Sequence, residues 1–565
     1  MHNLKYLIRP LDQGYVSSFN LLHSPANILI YPSANVKIET HGTHKRWGYL
    51  EDRDLGTGVD VLGIATFTKK DPSKSYTLYL TDSDLCKKET APKTFSYITE
   101  TYVEGNITTI DGITVTGAGT DWDGNVAKDD YFVLNDDHTS DAEPDTSWRK
   151  ILSVNGTTIV LTAAYEKNIT GQTKSYKIRK VYTVPTDEYW SWAIVGDLFC
   201  FSNGNVNVQY WDGDTDYASD LDSTNAIKAR YLTEYAERLI LVDYGSTRDP
   251  LGIAWSKNND PATWDDTTSG SAQFLTTEDF LTGAGVIGQN LMLYKKKSYI
   301  IGNRSGISTA PIYFTRKRYG YGVYAPYSVV TYMGTQAFLG EDNFYMVVGS
   351  VLEPIGDDIR DFFFDNVTMT NAAKTYGFVN MTERELIWIA NAGATKGVLA
   401  FVYNWQEKKW YIYSYADTIK CGGLGADAVY YLGDDDGKVY TYSDDCKGDD
   451  GSNIISQSVS SALNIPDQIQ QISGHLFTVY EVKLTYVDHG NVSTIVSVSA
   501  DGGESWSSDT QTIGTAGADG TVKSTTFPFI VTGEFFNIKV YHTGKALTFE
   551  WLELTVGLVP SGDIT

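Results

Sequence analysis

The chain has 565 residues and carries 45 lysines and arginines against 70 aspartates and glutamates, a formal charge of −25. That length suits three or four domains of about 150 residues, or fewer if one is a large β fold. The acidic balance disfavours a nucleic-acid binder that works by phosphate neutralisation, and 13% aromatic residues exclude a disordered chain. Tyrosine (39) and glycine (51) are abundant and methionine (6) is scarce, which favours aromatic strands joined by tight turns. The four cysteines, Cys86, Cys200, Cys421 and Cys446, are scattered without a C-x-x-C pair. They read as free thiols in preference to a disulfide framework or a zinc site. Met1–Asp12 has no apolar leader core and no run approaches about 18 apolar residues. The sequence therefore predicts no membrane segment and synthesis in a cytoplasm.

Taken in order, residues 1–58 read as an irregular segment with a possible closing strand. It contains a short β stretch at Asn35–Glu39 and a polar segment, His41–His44. From Val59 the pattern becomes apolar strands split by turns. Val61–Phe67 and Tyr76–Leu80 form the first predicted hairpin, within residues 59–100. Residues 101–181 have a shorter rhythm of five or six strands, from Ile107–Ile110 to Tyr176–Val181, interrupted by the acidic stretch Asn135–Thr146. This predicts a small β-barrel inserted into the array, which closure entropy permits at little cost. The hairpin unit then recurs through residues 182–452. Leu198–Phe201 is followed by Val206–Tyr210, Leu239–Tyr244 by Gly252–Trp255, and Leu291–Tyr294 by Ser298–Ile301. Ala337–Leu339 is followed by Phe344–Val348, Leu399–Tyr403 by Trp410–Tyr413, and Val429–Leu432 by Val439–Tyr442. Small sheets that must bury both faces stack radially. The expected fold is all-β: a β-propeller of six to eight blades with the inserted barrel and a C-terminal β-sandwich over 453–565, a plain sandwich being the competing architecture. Helices are expected at Ala226–Leu239 and Pro466–Ile472 only.

Few strings suggest chemistry. Gly283–Gly288 matches G-x-G-x-x-G, but a strand follows it where a dinucleotide site needs a helix N-terminus. Asp212, Asp214 and Asp216 alternate, as do Asp434 and Asp436, yet an EF-type loop would need glycine and glutamate where Tyr217 and Ser223 stand. Solvated turns explain them better. His41 and His44 offer only a weak metal pair. Ser499–Trp506 fits the S-x-D-x-G-x-x-W Asp box, read as a hairpin device in which aspartate accepts backbone bonds and tryptophan packs beneath. No zincin, nucleophile-elbow or P-loop pattern is present, so no catalytic, cofactor or metal residues are assigned and no enzyme is expected. The cationic spots Lys295, Lys296, Lys297 and Arg316, Lys317, Arg318 read as solvated turn and rim, or as a docking patch for an acidic partner or a neighbouring copy.

Several motifs in order carry a resemblance. Gly119–Trp122, Ile151–Val154 and Leu161–Tyr165 resemble a small β domain recurrent in bacteriophage tail proteins. The succession Leu291–Gly302, Tyr319–Val330 and Phe338–Ile355 is similar to the propeller of podovirus tail nozzle or tail hub proteins. Ser499–Trp506 followed by Gly533–Phe536 and Lys539–Tyr541 resembles the sandwich that often ends such chains. The resemblance implies a non-enzymatic virion component, assembled in the host cytoplasm into the viral tail. Copies would form a homohexameric ring that extends the DNA channel below portal and adaptor proteins and docks tail fibres or spikes. The genome would pass without specific binding, and the surplus of acid is compatible with that, because it repels phosphate. Two other readings stand beside it: a host-surface glycan-binding or glycan-cleaving propeller, motivated by aromatic-rich loops and the Asp box, and a receptor-binding tip.

Overall fold

The computed structural model describes residues 4–563 apart from 9–13, 18–27, 40–41, 71–73, 91–93, 139–146, 187, 223–226, 276–278, 316–317, 349–350, 465–474, 518–519 and 544–547. The protein is all-β, built from sheets of four to eight strands. Among the described residues, α-helix is confined to Arg360–Asn366, Met369–Ala372 and Gly393–Lys396. The helix expected at Ala226–Leu239 is a hairpin. Lys228–Tyr235 pairs with Arg238–Gly245 across Ala236 and Glu237, both at positive φ (55° and 62°). A two-residue turn of this kind matches the twist of paired strands, and burial against neighbouring sheets overrides the helical propensity of the segment. The helix expected at Pro466–Ile472 lies outside the described residues.

The chain divides into two compact units, one of residues 1–52, 337–419 and 440–565, the other of residues 53–336 and 420–439. In the second unit, strands Val61–Thr68, Ser75–Thr81, Leu85–Glu89 and Phe95–Tyr97 form a four-stranded sheet in chain order. Three more such sheets follow at residues 191–220, 228–273 and 281–319, the last with a fifth short strand. The hairpins within 61–81, 198–211, 239–255 and 290–304 follow the expected alternation of aromatic and β-branched residues.

Successive sheets of this unit pack face to face. Phe67 lies 5.7 Å and Tyr76 4.8 Å from Trp211, ring centre to ring centre, which joins the 61–97 sheet to the 191–220 sheet. Ala193, Cys200, Leu232 and Leu241 share the next core, and Tyr231, Val242, Leu291 and Leu293 the one after. Strands from residues 420–434 cover the other face of the 61–97 sheet, where Cys421 Sγ donates to Val61 O (3.3 Å) and Tyr431 lies 5.9 Å from Tyr79.

Residues 101–179 stand apart from that series. Their eight strands form one sheet, and it has a core of its own around Trp122, Phe132, Leu161 and Tyr176. Trp122 Nε1 donates to Tyr176 OH at 2.8 Å, so the largest buried ring keeps its polar atom paired.

In the first unit, strands Tyr376–Asn380, Glu385–Asn391, Val398–Asn404 and Lys409–Ser414 form a meander whose Trp388 and Trp410 meet Phe344 at 5.0 and 4.9 Å. The end of the chain builds two sheets, one of which takes in strands from the start. Leu4–Ile8 pairs with Glu550–Asp563 (Leu4 opposite Leu558), and Gly42–Lys45 pairs with the same strand (Thr43 opposite Trp551). Residues 1–58, expected to be irregular with a possible closing strand, thus contribute four strands among their described residues, Gly48–Asp54 being the last. Two further sheets have four strands each. One is formed by strands within 330–354, the other by strands within 419–443 followed at its edge by Gly48–Asp54.

Candidate functional site

The lysine turn is partly withdrawn from solvent. Lys295 ends the strand Asn290–Lys295 fully buried, and its Nζ donates to Phe274 O at 3.1 Å. Lys296 and Lys297 are exposed; the Lys296 ammonium lies 5.0 Å from the Tyr324 ring centre, and the Lys297 backbone N–H donates to Asp279 Oδ1 at 2.8 Å. Arg316 and Lys317 lie outside the described residues. Arg318 pairs through its backbone with Tyr299, and Tyr319 with Ser298. Of the lysine turn, Lys296 and Lys297 therefore face water and Lys295 does not, and the backbone of Arg318 pairs in the same sheet.

Sequence reading missed a cluster of buried charges. Lys37, on the strand Val36–Glu39, pairs with Glu383 and with Glu39 (2.8 Å). Burial opposes the Lys37 ammonium, but Glu383, Glu385 and Glu39 overcome it and hold the proton more tightly than in water. Behind it Glu385 is fully buried and accepts from Tyr413 OH at 2.6 Å; burial pushes its carboxyl up to about 7. His44 Nε2 lies 3.7 Å from both Glu39 and Glu550, and burial pushes the imidazole down. Next to this cluster Arg46 spans Asp449 (2.5 and 2.9 Å), Asn35 Oδ1 (2.8 Å) and two backbone carbonyls, which satisfies the whole guanidinium. These groups fasten the chain start to later strands, and the distant pairing leaves no local signal. His41 is outside the described residues, and among those described no group of three His, Cys, Asp or Glu is placed to hold a metal.

A second polar site is a pocket of ≈ 430 Å³ lined in part by Glu100, Asp130, Lys180, Tyr182, Gln209 and Asp220. Burial raises the carboxyls of Glu100 and Asp130 despite the Lys180 contact (2.5 Å) on the first and backbone N–H bonds from Ala127 (2.8 Å) and Val181 (3.0 Å) on the second. Asp220 accepts from Asn207 Nδ2 (3.0 Å) and from Gln209.

The other strings resolve into structure. Gly283–Gly288 falls largely within the strand Leu281–Ile287. Asp212 Oδ1 accepts from Asp214 N and Thr215 N (2.9 and 2.8 Å), and Asp434 Oδ1 from Asp436 N and Lys438 N (3.0 and 2.8 Å), so both acids fix turns. In the Asp box, Ser499 Oγ donates to Asp501 Oδ1 (2.6 Å), Asp501 accepts from Ser505 N (2.9 Å), and Trp506 Nε1 donates to Gly503 O (2.9 Å). The motif is a turn held by its own hydrogen bonds, with Trp506 packed against Val16, Ile28, Ile30 and Val459. All four cysteines are free thiols.

No family model and no curated protein matches the chain. Among solved structures it is similar to a streptogramin B lyase (8% identity, 70% of this chain and 96% of that one, TM-score 0.35). It is also similar to the WD40 β-propeller domain of Doa1 (9%, 61% and 96%, TM-score 0.28) and to an exo-β-1,3-galactanase from Phanerochaete chrysosporium (10%, 65% and 95%, TM-score 0.25). Likeness at this level carries no argument about activity.

Proposed function

We propose that the protein is a structural, non-enzymatic component of a short-tailed bacteriophage virion, a propeller whose copies form the ring of the tail nozzle or hub. The observation that carries this reading is the packing order. The 61–97, 191–220, 228–273 and 281–319 sheets stack each on the next, and strands of 420–434 return to cover the first. The 101–179 sheet stays out of the series. A row of small sheets, each packed on the next, is how blades stack around an axis. On this reading these sheets are blades of a propeller of six to eight, with 101–179 an insertion. The motif resemblance supplies the setting: six copies, contacts with portal, adaptor and fibre or spike proteins, and an acidic passage that lets DNA slide by. Lys296, Lys297 and Arg318 are the proposed docking patch. Reversing Lys296 and Lys297 to glutamate in the infecting phage tests it: the expected result is particles that lack fibres, and normally fibred particles would contradict the assignment.

One pocket favours a second reading, glycan binding or cleavage at a host surface. Glu100 and Asp130, whose carboxyls burial raises, share a cavity with Asp220 and several amides, and acidic side chains gathered in one cleft are what glycoside hydrolysis needs. Release of reducing ends from host polysaccharide, lost in Glu100→Gln, would favour it over the structural reading; no release by the unmodified protein would remove it.

A further inference from the structure

A pocket of ≈ 580 Å³ in the first unit has aromatic walls. Tyr15, Tyr31 and Phe362 meet there, with ring centres 5.4 Å apart for Tyr15–Phe362 and 5.7 Å for Tyr31–Phe362. Tyr15 and Phe362 are buried, whereas Tyr31 is 58% exposed and forms an open wall. The carboxylates of Asp361 and Asp365, four residues apart on the helix Arg360–Asn366, line the same pocket. What occupies the aromatic faces is a cation from the chain itself. The Lys396 ammonium lies 4.2 Å from the Tyr31 ring centre and 4.7 Å from that of Phe362.

Two aromatic faces within about 6 Å of one ammonium, with acid on the rim, is the chemistry that selects a cation whose hydration is weak. A primary ammonium is strongly hydrated and gives up water reluctantly. A methylated quaternary ammonium dehydrates more readily against apolar walls such as Ile28 and Ile30, and it fills more of the cavity than a lysine tip does. Lys396 closes the four-residue helix Gly393–Lys396, bounded by Gly393 and Gly397 at positive φ (81° and 67°), in the connection between strands Glu385–Asn391 and Val398–Asn404. Its side chain can leave the cage without breaking a strand pairing.

We infer that this pocket is a binding site for a choline-type quaternary ammonium, held closed in the free protein by Lys396 as an internal competitor. An occupied cage lowers the apparent affinity by the fraction of time it stands open. Choline chloride titrated into the full chain, followed by the NMR line shape of the choline methyl groups with sodium chloride at matched ionic strength as the control, tests the site. The Lys396→Ala variant is expected to bind choline about tenfold more tightly than the unmodified protein. Tyr31→Ala, which removes a half-exposed ring, is expected to lose binding while keeping the same thermal midpoint. Asp365→Asn should weaken it. The inference is overturned if Lys396→Ala shows no saturable binding, if Tyr31→Ala in the Lys396→Ala background binds as well as its parent, or if glucose titrates the pocket and choline does not.

Discussion

Residues 101–179 and the pair of sheets at the chain end solve the same problem, burying one face of each sheet, by opposite routes. The 101–179 sheet draws all eight strands from one continuous stretch and closes over a core nearly free of polar groups, with Trp122 and Tyr176 satisfying one another. The terminal sheets recruit Leu4–Ile8 and Gly42–Lys45, and the adjoining segment is held by buried charge, Arg46 on Asp449 and Lys37 among three glutamates. The first route is local and apolar. The second depends on residues far apart in the chain and on groups that titrate.

The difference is broken most severely by cutting the chain. Residues 101–181 expressed alone should unfold cooperatively with Trp122 as a buried fluorophore, while residues 453–565 alone should lack a cooperative transition because the start of the chain is missing. A fully folded 453–565 fragment, by near-ultraviolet circular dichroism, would contradict the comparison. Next in size, Arg46→Met leaves Asp449 buried without its partner and should cost about 3–5 kcal/mol in chemical denaturation. Trp122→Phe removes the bond to Tyr176 and leaves a small void; a loss of about 1–3 kcal/mol is expected in the same measurement.

The smallest effect concerns pH. Glu385 is raised from 4.5 to about 7, so the native state holds a proton that the unfolded chain has lost, and its contribution fades as pH rises across that window. His542 is lowered from 6.5 to about 4 by burial, so its contribution fades as pH falls across an overlapping window. The two slopes oppose each other. Glu385→Gln should therefore tilt the stability profile between pH 4.5 and 6.5 toward higher pH, and an unchanged slope in denaturant titrations at three pH values would count against a buried neutral Glu385.

The same contrast explains what could be read from the sequence. Hairpins such as Val61–Thr68 with Ser75–Thr81 or Val398–Asn404 with Lys409–Ser414 were legible because alternation and turn residues are local signals. The strands of 101–179 were legible for the same reason, except Thr101–Tyr102, only two residues long, and Ile169–Lys174, whose polar ITGQTK has one buried residue. Lys228–Tyr235 was misread because YLTEYAERL carries helical propensity, and only packing on both faces makes it a strand. The buried charges around Lys37 and the cage around Lys396 were invisible, since each gathers residues hundreds of positions apart. Of the expected docking residues, Lys295 differs most plainly: a lysine run gives no hint that its first member is folded under the sheet.

The account turns on blades arranged in a circle and copies arranged in a ring. Electron microscopy of the purified full-length chain tests this most directly. Sixfold rings around an open passage, with the 101–179 domain projecting from one blade, are the predicted result. Single particles at every concentration, without a central axis in the stacked sheets, would contradict it.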